Sequence, residues 1–133
     1  EGDGATPRAA MRVLAGFWRD DRHRRPLSPL SFKPIRPGDG WCDAPADPNY
    51  NRLVRTPYPA SHEKMLRHDR LYDHVIVLDW NYGRRMRGAG SAIFLHVAKP
   101  GLQPTEGCIA VPPRTMQQIL PLLSTRTVIE VRD

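Results

Sequence analysis

The sequence lacks the features that define several common classes of protein. It has no apolar run long enough to span a membrane, and no segment has the pattern of a signal peptide. It contains only two cysteines, and neither a Cys-x-x-Cys nor a His-x-x-x-His pair occurs, so the usual ligand spacings of a zinc site are missing. The sequence therefore predicts no metal site, no bound cofactor and no transmembrane segment.

Acidic residues are in the minority. The chain has 20 Lys and Arg residues against 14 Asp and Glu residues, which gives a formal net charge of +6. A basic surface suits nucleic acid, membrane lipid or an acidic polymer. The arginine clusters at residues 22–25 and 84–87 have no interleaved aromatic residues and match no nucleic-acid-binding motif. We therefore predict no nucleic-acid partner. General attraction to an anionic polymer and a solvated surface without a role both remain open.

Composition and periodicity predict a single, mostly β domain spanning residues 1–133. With 14 prolines and 10 glycines, a loop-rich chain with few long helices is expected. Strands are predicted at residues 8–18, 50–56, 71–78, 91–98 and 127–131, short helices at 61–68 and 113–120, and an irregular segment at 27–50. In the first strand, alternation puts Met11, Val13, Ala15 and Phe17 on one face. The predicted fold is a twisted mixed sheet or β-sandwich with one or two short helices.

The most informative segment runs from residue 91 to residue 111. Its first part alternates Ile93, Leu95 and Val97 with other residues, which is typical of a half-buried strand and puts His96 on the opposite face. Pro and Gly at positions 100, 101 and 104 break the strand into a loop. The loop ends in Gly107 and Cys108 and leads straight into apolar residues. A histidine and a cysteine are thus expected near each other.

This pair has the chemistry of a cysteine nucleophile. An imidazole can take the proton of a thiol and leave the reactive thiolate. Glycine has no Cβ, so the backbone N–H groups at Gly107 and Cys108 can approach a substrate closely and stabilise an oxyanion. Taken separately, a lone cysteine and a lone histidine are more often structural. Spacing alone therefore leaves catalysis and a structural role open.

Two motifs give the chain a resemblance to a known family. His96 on a strand, then a loop, then Thr105-Glu106-Gly107-Cys108 resembles the His and Ser/Thr-x-Gly-Cys pattern of L,D-transpeptidases of the YkuD type, which remodel bacterial peptidoglycan. The opening Gly2-Asp3-Gly4-Ala5-Thr6-Pro7 resembles the family's Gly-Asp-Gly-x-Thr-Pro turn. The order of the motifs fits as well, so the resemblance covers nearly the whole chain.

Some positions depart from the family pattern. Ala110 stands where Arg or Asn is frequent, Glu106 stands where His is frequent, and the loop from His96 to Cys108 is shorter than in well-known members. These departures indicate a divergent subgroup with altered substrate contacts. Strands normally precede the opening motif in the family, so we expect that N-terminal strands are missing from the sequence.

The resemblance implies a mechanism. Cys108 attacks a stem tetrapeptide and releases D-Ala, His96 acts as base and acid, and Gly107 contributes to the oxyanion hole. It also implies peptidoglycan stem peptides as partners, with wall-linked proteins as a further class, and a periplasmic or cell-envelope location. Candidates for substrate contact are Thr105, Glu106, Tyr72, Asn81 and His62. Trp41 and Tyr58 are candidates for the walls of the same groove.

Three other interpretations stay open. Water in place of an amine acceptor makes the same site an L,D-carboxypeptidase or an amidase. The chain is alternatively a non-catalytic, basic module that binds the cell wall. A disulfide between Cys42 and Cys108 would make it a structural domain; we expect two free thiols, with Cys42 buried.

Overall fold

The computed structural model describes residue 7 and residues 9–83, 86–99 and 107–131. Within these ranges the chain forms two β-sheets, one α-helix and one short 3₁₀ helix, so the predicted mostly β class is confirmed. The elements in chain order are β1 (Ala10–Trp18), β2 (Phe32–Pro34), β3 (Asp39–Cys42), β4 (Leu53–Arg55), β5 (His62–Lys64), β6 (His74–Leu78), β7 (Phe94–Val97), β8 (Ile109–Val111), α1 (Pro113–Ile119), the 3₁₀ helix Leu120–Leu122 and β9 (Val128–Glu130).

The larger sheet is mixed and has the strand order β2-β1-β6-β7-β8, with β9 also paired to β1. The β1–β6, β6–β7 and β1–β9 pairs are antiparallel, whereas β1–β2 and β7–β8 are parallel. Strand β6 lies in the middle of this order. Both of its faces are buried, as its continuous apolar sequence predicts. The smaller sheet is antiparallel, in the order β4-β3-β5.

Two hydrophobic cores lie on opposite faces of the larger sheet. The helix-side core includes Met116 of α1 and Leu120 of the 3₁₀ helix, and it receives Leu95 and Val97 from β7 together with Ile93, which directly precedes that strand. The sheet-side core includes Trp41 of the smaller sheet and Phe94 of β7, whose rings pack edge to face with centroids 5.1 Å apart. The predicted alternation along β7 is therefore confirmed.

The alternation predicted for β1 is wrong beyond Val13. A register shift between Val13 and Ala15 interrupts its pairing with β6. Such a bulge inverts the side-chain alternation that follows it. Met11 and Val13 lie in the helix-side core, but Phe17 lies in the sheet-side core.

Two further local predictions are wrong. The predicted helix at residues 61–68 does not form; strand β5 is there instead, because its backbone completes the smaller sheet against β3. The segment 27–50 is not wholly irregular, since it contains β2 and β3. The predicted helix after Pro112 is confirmed as α1. No helix in the described parts of the chain is both long and apolar enough to cross a membrane.

Candidate functional site

Strands β7 and β8 bring His96 and Cys108 to the same face of the larger sheet. In their parallel register, His96 is opposite Ala110, and Leu95 is opposite Ile109. Cys108 directly precedes Ile109, so it is offset from His96 by two positions, about 7 Å along the strand. Cys108 packs against the sheet-side core, and the His96 ring contacts Tyr72 of the same core. The two side chains therefore share one side of the sheet.

The backbone sets the tautomer of His96. The Nδ1 atom lies 2.8 Å from the carbonyl oxygen of Val97, and a carbonyl only accepts, so Nδ1 carries the proton. In the neutral ring Nε2 is then a proton acceptor. Burial lowers the pKa of His96, since the side chain is only 3% exposed, and the nearby positive charge of Arg67 lowers it further. A neutral imidazole with its acceptor nitrogen available for a proton is the form that a general base requires.

The thiol of Cys108 points at a backbone carbonyl. Its Sγ lies 3.1 Å from the oxygen of Ala92 and donates to it. Cys108 as a residue is half-buried. The preceding Gly107 has a φ of 91°, a conformation that glycine adopts readily and that strains other residues. The turn into β8 therefore depends on glycine at this position.

Tyr72 packs against the imidazole of His96. Its ring packs edge to face on the imidazole, with centroids 5.5 Å apart, and its hydroxyl donates to the carboxylate of Glu63 on β5. The guanidinium of Arg67 lies 5.2 Å from the centre of the Tyr72 ring. Burial raises the pKa of the Tyr72 phenol, with a further increase from Glu63, so the phenol stays protonated. Tyr72 thus joins the smaller sheet to the histidine.

Asn51 is a site residue that the sequence did not reveal. It is 3% exposed, and its amide oxygen accepts from the indole N–H of Trp41 at 2.9 Å and from the backbone N–H of Ala92 at 3.2 Å. Its amide nitrogen donates to the carbonyls of Trp80 at 3.2 Å and Asn81 at 2.9 Å. Asn51 therefore fixes the residue whose carbonyl receives the Cys108 thiol.

The other predicted substrate residues have different positions. Asn81 lines a surface pocket of about 350 Å³ together with Trp80 and Tyr82. His62 lies on β5, with Nδ1 2.9 Å from the carbonyl oxygen of Ala60 and its ring against Tyr58. Its neighbour Glu63 is the β5 residue that reaches Tyr72. The described contacts of His62 are therefore with Ala60 and Tyr58, whereas those of His96 are with Val97 and Tyr72. Thr105 and Glu106 lie outside the described residues.

Both cysteines are free thiols, as expected. Cys42 is completely buried on β3, and its Sγ donates to Asp47 at 3.5 Å. Burial raises the pKa of the Cys42 thiol. Of the two cysteines, only Cys108 combines partial exposure with a place beside the His96 face.

Comparison with known families identifies the family of the chain. Over residues 1–131 the sequence matches the YkuD family, described as the L,D-transpeptidase catalytic domain. The chain therefore belongs to this family, a family of cell-wall enzyme domains that act on peptidoglycan. Searches of curated proteins and of solved structures return no match. No group of three or more His, Cys, Asp or Glu side chains suited to a metal occurs in the described part of the chain.

Proposed function

We propose that this domain is a peptidoglycan L,D-transpeptidase with Cys108 as nucleophile and His96 as general base and acid. The observation that carries the proposal is the placement of a half-buried thiol and a buried, neutral imidazole on one face of the parallel pair β7–β8. His96 lies on β7 and Cys108 directly precedes β8, and strands hold reacting groups more rigidly than loops do.

The first half-reaction is acylation of the thiol. As Sγ of Cys108 attacks the amide carbonyl between the third residue of a stem tetrapeptide and D-Ala, its proton passes to Nε2 of His96. An S–C bond forms, and the oxyanion is stabilised by the backbone N–H groups of Gly107 and Cys108. The C–N bond then breaks as His96 returns the proton to the leaving amine. The products are D-Ala and a thioester.

The second half-reaction returns the thiol. An amine from a second stem attacks the thioester carbon while His96 accepts a proton from that amine. A new C–N bond forms, the C–S bond breaks, and the proton returns to the sulfur of Cys108. Water as acceptor gives hydrolysis of the donor stem at the same site, so the acceptor decides between a transpeptidase and an L,D-carboxypeptidase.

Two features support His96 as the base. The bond from Nδ1 to the Val97 carbonyl holds the ring in one orientation with Nε2 as the acceptor. Tyr72, whose hydroxyl donates to Glu63, packs against the ring and restricts the imidazole further. A base that is fixed before the substrate arrives needs less reorganisation during proton transfer.

The net charge of +6 suits the proposed partner and location. Stem peptides carry carboxylates, and a basic surface attracts an acidic polymer over distances near the Debye length. We accordingly place the domain in the cell envelope, acting on peptidoglycan stems, with wall-linked proteins as a further class of acceptor or substrate.

The test is intact-mass spectrometry of the protein mixed with a disaccharide-tetrapeptide, with D-Ala release measured in parallel. The wild type should show a mass increase equal to the donor lacking D-Ala, located on Cys108. Cys108→Ala should lose both the adduct and D-Ala release, because the nucleophile is gone while little packing volume changes.

Cys42→Ala is the matched control, since it removes the other thiol. It should keep the adduct on Cys108, although loss of a fully buried side chain will lower stability. An inactive Cys42→Ala that still folds, paired with an active Cys108→Ala, would show that the nucleophile is assigned to the wrong cysteine. Adding an amine acceptor then separates transfer from hydrolysis by the mass of the product.

A further inference from the structure

Asn51 is hydrogen-bonded at every position of its amide. It accepts two hydrogen bonds and donates two, which is the full capacity of the group. The partners are Trp41 on the smaller sheet, Trp80 and Asn81 in the turn after β6, and Ala92 just before β7. A buried amide that connects three separate segments fixes their relative positions, because releasing any partner leaves a buried polar group unpaired.

Ala92 is held in a conformation that alanine does not favour. Its φ is 56°, in the left-handed region, where side chains with a Cβ are disfavoured. On one side its N–H donates to Asn51, and on the other the carbonyl of the next residue, Ile93, accepts from the backbone N–H of Leu78 at 3.3 Å. Strand pairing and Asn51 together keep Ala92 in this conformation.

The conformation of Ala92 affects the ionisation of the Cys108 thiol. With Ala92 in this conformation its carbonyl oxygen accepts the S–H of Cys108 at 3.1 Å. A hydrogen bond donated by the thiol stabilises the protonated form and opposes ionisation. A thiol has one proton, so that proton must turn away from Ala92 before Nε2 of His96 can accept it.

We propose that Asn51 is a positioning residue that keeps the nucleophile in its thiol form at rest. It acts through Ala92, whose carbonyl it aims at Cys108, and this inference rests on the proposed function of Cys108. The step that follows is a proton transfer from Sγ to Nε2 of His96 when a bound substrate draws the sulfur away from the carbonyl. Asn51 touches neither the substrate nor the reacting atoms.

Other ionisable groups around Cys108 stay the same in the test. Those on the packed elements are His96 on β7, Tyr72 before β6 and Glu63 on β5, with Arg67 over the tyrosine ring. Asp69 and Lys99 act on His96 from further away. No described hydrogen bond of the Asn51 side chain goes to any of these six side chains. A change in the ionisation of the thiol on replacing Asn51 therefore reports on Ala92.

The test is the rate of alkylation of Cys108 by iodoacetamide from about pH 5 to pH 9, read by peptide mass so that Cys42 is counted separately. Asn51→Gly removes the amide and keeps a residue that tolerates the φ of 60° found here. It should alkylate about threefold to tenfold faster than wild type near neutral pH, with the profile moved to lower pH. A purely structural defect would lower the melting temperature without moving the profile in this direction.

Two variants are matched controls. Asn49→Ala removes an exposed amide of the same segment, which donates to Tyr58 and does not contact Ala92. Asn51→Asp keeps an oxygen that accepts from the Ala92 N–H. In neither variant should Cys108 be alkylated faster than in the wild type. If Asn51→Gly does not fold, Asn51→Ser carries the same test, because its hydroxyl is too short to span to Ala92.

The outcomes separate the two proposals. Faster alkylation confined to Asn51→Gly or Asn51→Ser supports the assignment of Asn51. An unchanged or slower profile overturns it, and so does faster alkylation in all of the variants. If the wild type releases no D-Ala from the tetrapeptide while the alkylation difference is present, the proposed function fails and the control of the thiol by Asn51 is still supported.

Discussion

At the level of one residue, burial suits His96 to the role of base that we propose for it. Histidine in water is half protonated near pH 6.5, but inside this domain burial and Arg67 both oppose the imidazolium. The ring therefore stays neutral at pH values where an exposed histidine is already charged. A base must be neutral to accept a proton, so activity should persist at pH values below about 6.5.

We accordingly predict the pH dependence of acylation. Because the pKa of His96 is lowered, the acid limb of the acylation rate should have an apparent pKa below 6.5. His96→Ala should reduce the rate by about a hundredfold to ten-thousandfold, the usual contribution of a general base. The measurement is the single-turnover acylation rate of Cys108 as a function of pH.

His62→Ala is the control for this prediction. His62 contacts Ala60 and Tyr58 on the smaller sheet, so its loss should leave the acid limb in place. An acid limb at or above 6.5 in the wild type would contradict a buried, neutral base. A rate that is unaffected in His96→Ala would mean that another group takes the thiol proton.

The residues of the site differ in how far the sequence predicts them. His96 and Cys108 are recognisable because strand alternation and a Gly-Cys turn are local patterns. Asn51 is not, because its partners Trp41, Trp80, Asn81 and Ala92 lie 10 to 41 positions away along the chain. Glu63 was also missed as a partner of Tyr72, since a helix was predicted where β5 forms.

At the level of elements, β1 shows that alternation of apolar residues predicts a strand better than it predicts which core each side chain faces. Its sequence alternates well enough to predict a strand, and the strand is there. A single bulge near Leu14 then exchanges which side chains face which core. Bulges depend on the pairing strand, so the sequence of β1 alone does not reveal one. The same holds for β5, whose short polar sequence becomes a strand only because β3 offers a partner edge.

The contact between β1 and β2 leaves no room for a side chain at Gly16. A Cβ built at Gly16 would lie 2.3 Å from the ring of Phe32 on the neighbouring strand β2, and Phe32 is itself buried in the helix-side core. Gly16→Ala should therefore destabilise the domain by about 1–3 kcal/mol through overpacking. The measurement is the free energy of unfolding in urea.

Gly83→Ala is the matched substitution, because a Cβ there meets nothing within 4 Å. Its stability should be close to that of the wild type. Equal stability of the two variants would show that Phe32 moves aside at little energetic cost, and that the close contact of β1 with β2 is not required.

At the level of the whole molecule, acid stability depends on a buried cluster far from Cys108 in sequence. Burial and the neighbouring His23 lower the pKa of His74 to about 4, and the two histidine rings lie 4.8 Å apart. Beside them, burial raises the pKa of Asp73, but hydrogen bonds from His23 and Arg22 outweigh it, and the net shift is downward. The folded state therefore resists protonation here.

We predict that stability falls as the pH drops from about 6.5 to about 4. Between these values the unfolded chain binds a proton at His74 that the folded state does not, so acid favours unfolding. The loss should approach about 3 kcal/mol, which corresponds to the size of this shift. Urea unfolding across this pH range measures it.

The variant His74→Gln should remove the His74 part of this loss, because glutamine has no group to titrate, and the part that comes from the lowered pKa of His96 should remain. His62→Gln, which changes a histidine of the smaller sheet, should keep it. An acid-side loss that is the same in His74→Gln and in the wild type would exclude His74 as its source. The Asp73 contribution has the same sign, but it is lost only at lower pH, as that carboxylate becomes protonated.

The parallel pairing of β7 and β8 has a consequence for how such a domain can diversify. Parallel neighbours need a crossing connection, and here both of its ends are anchored in strand register. The entropy of closing a loop rises only with the logarithm of its length. Up to the turn at Gly107, the length of the connection can therefore change at a small cost in closure entropy, while the pairing of β7 with β8 keeps His96 and the strand that follows Cys108 in register. Access to the sulfur can evolve separately from its chemistry.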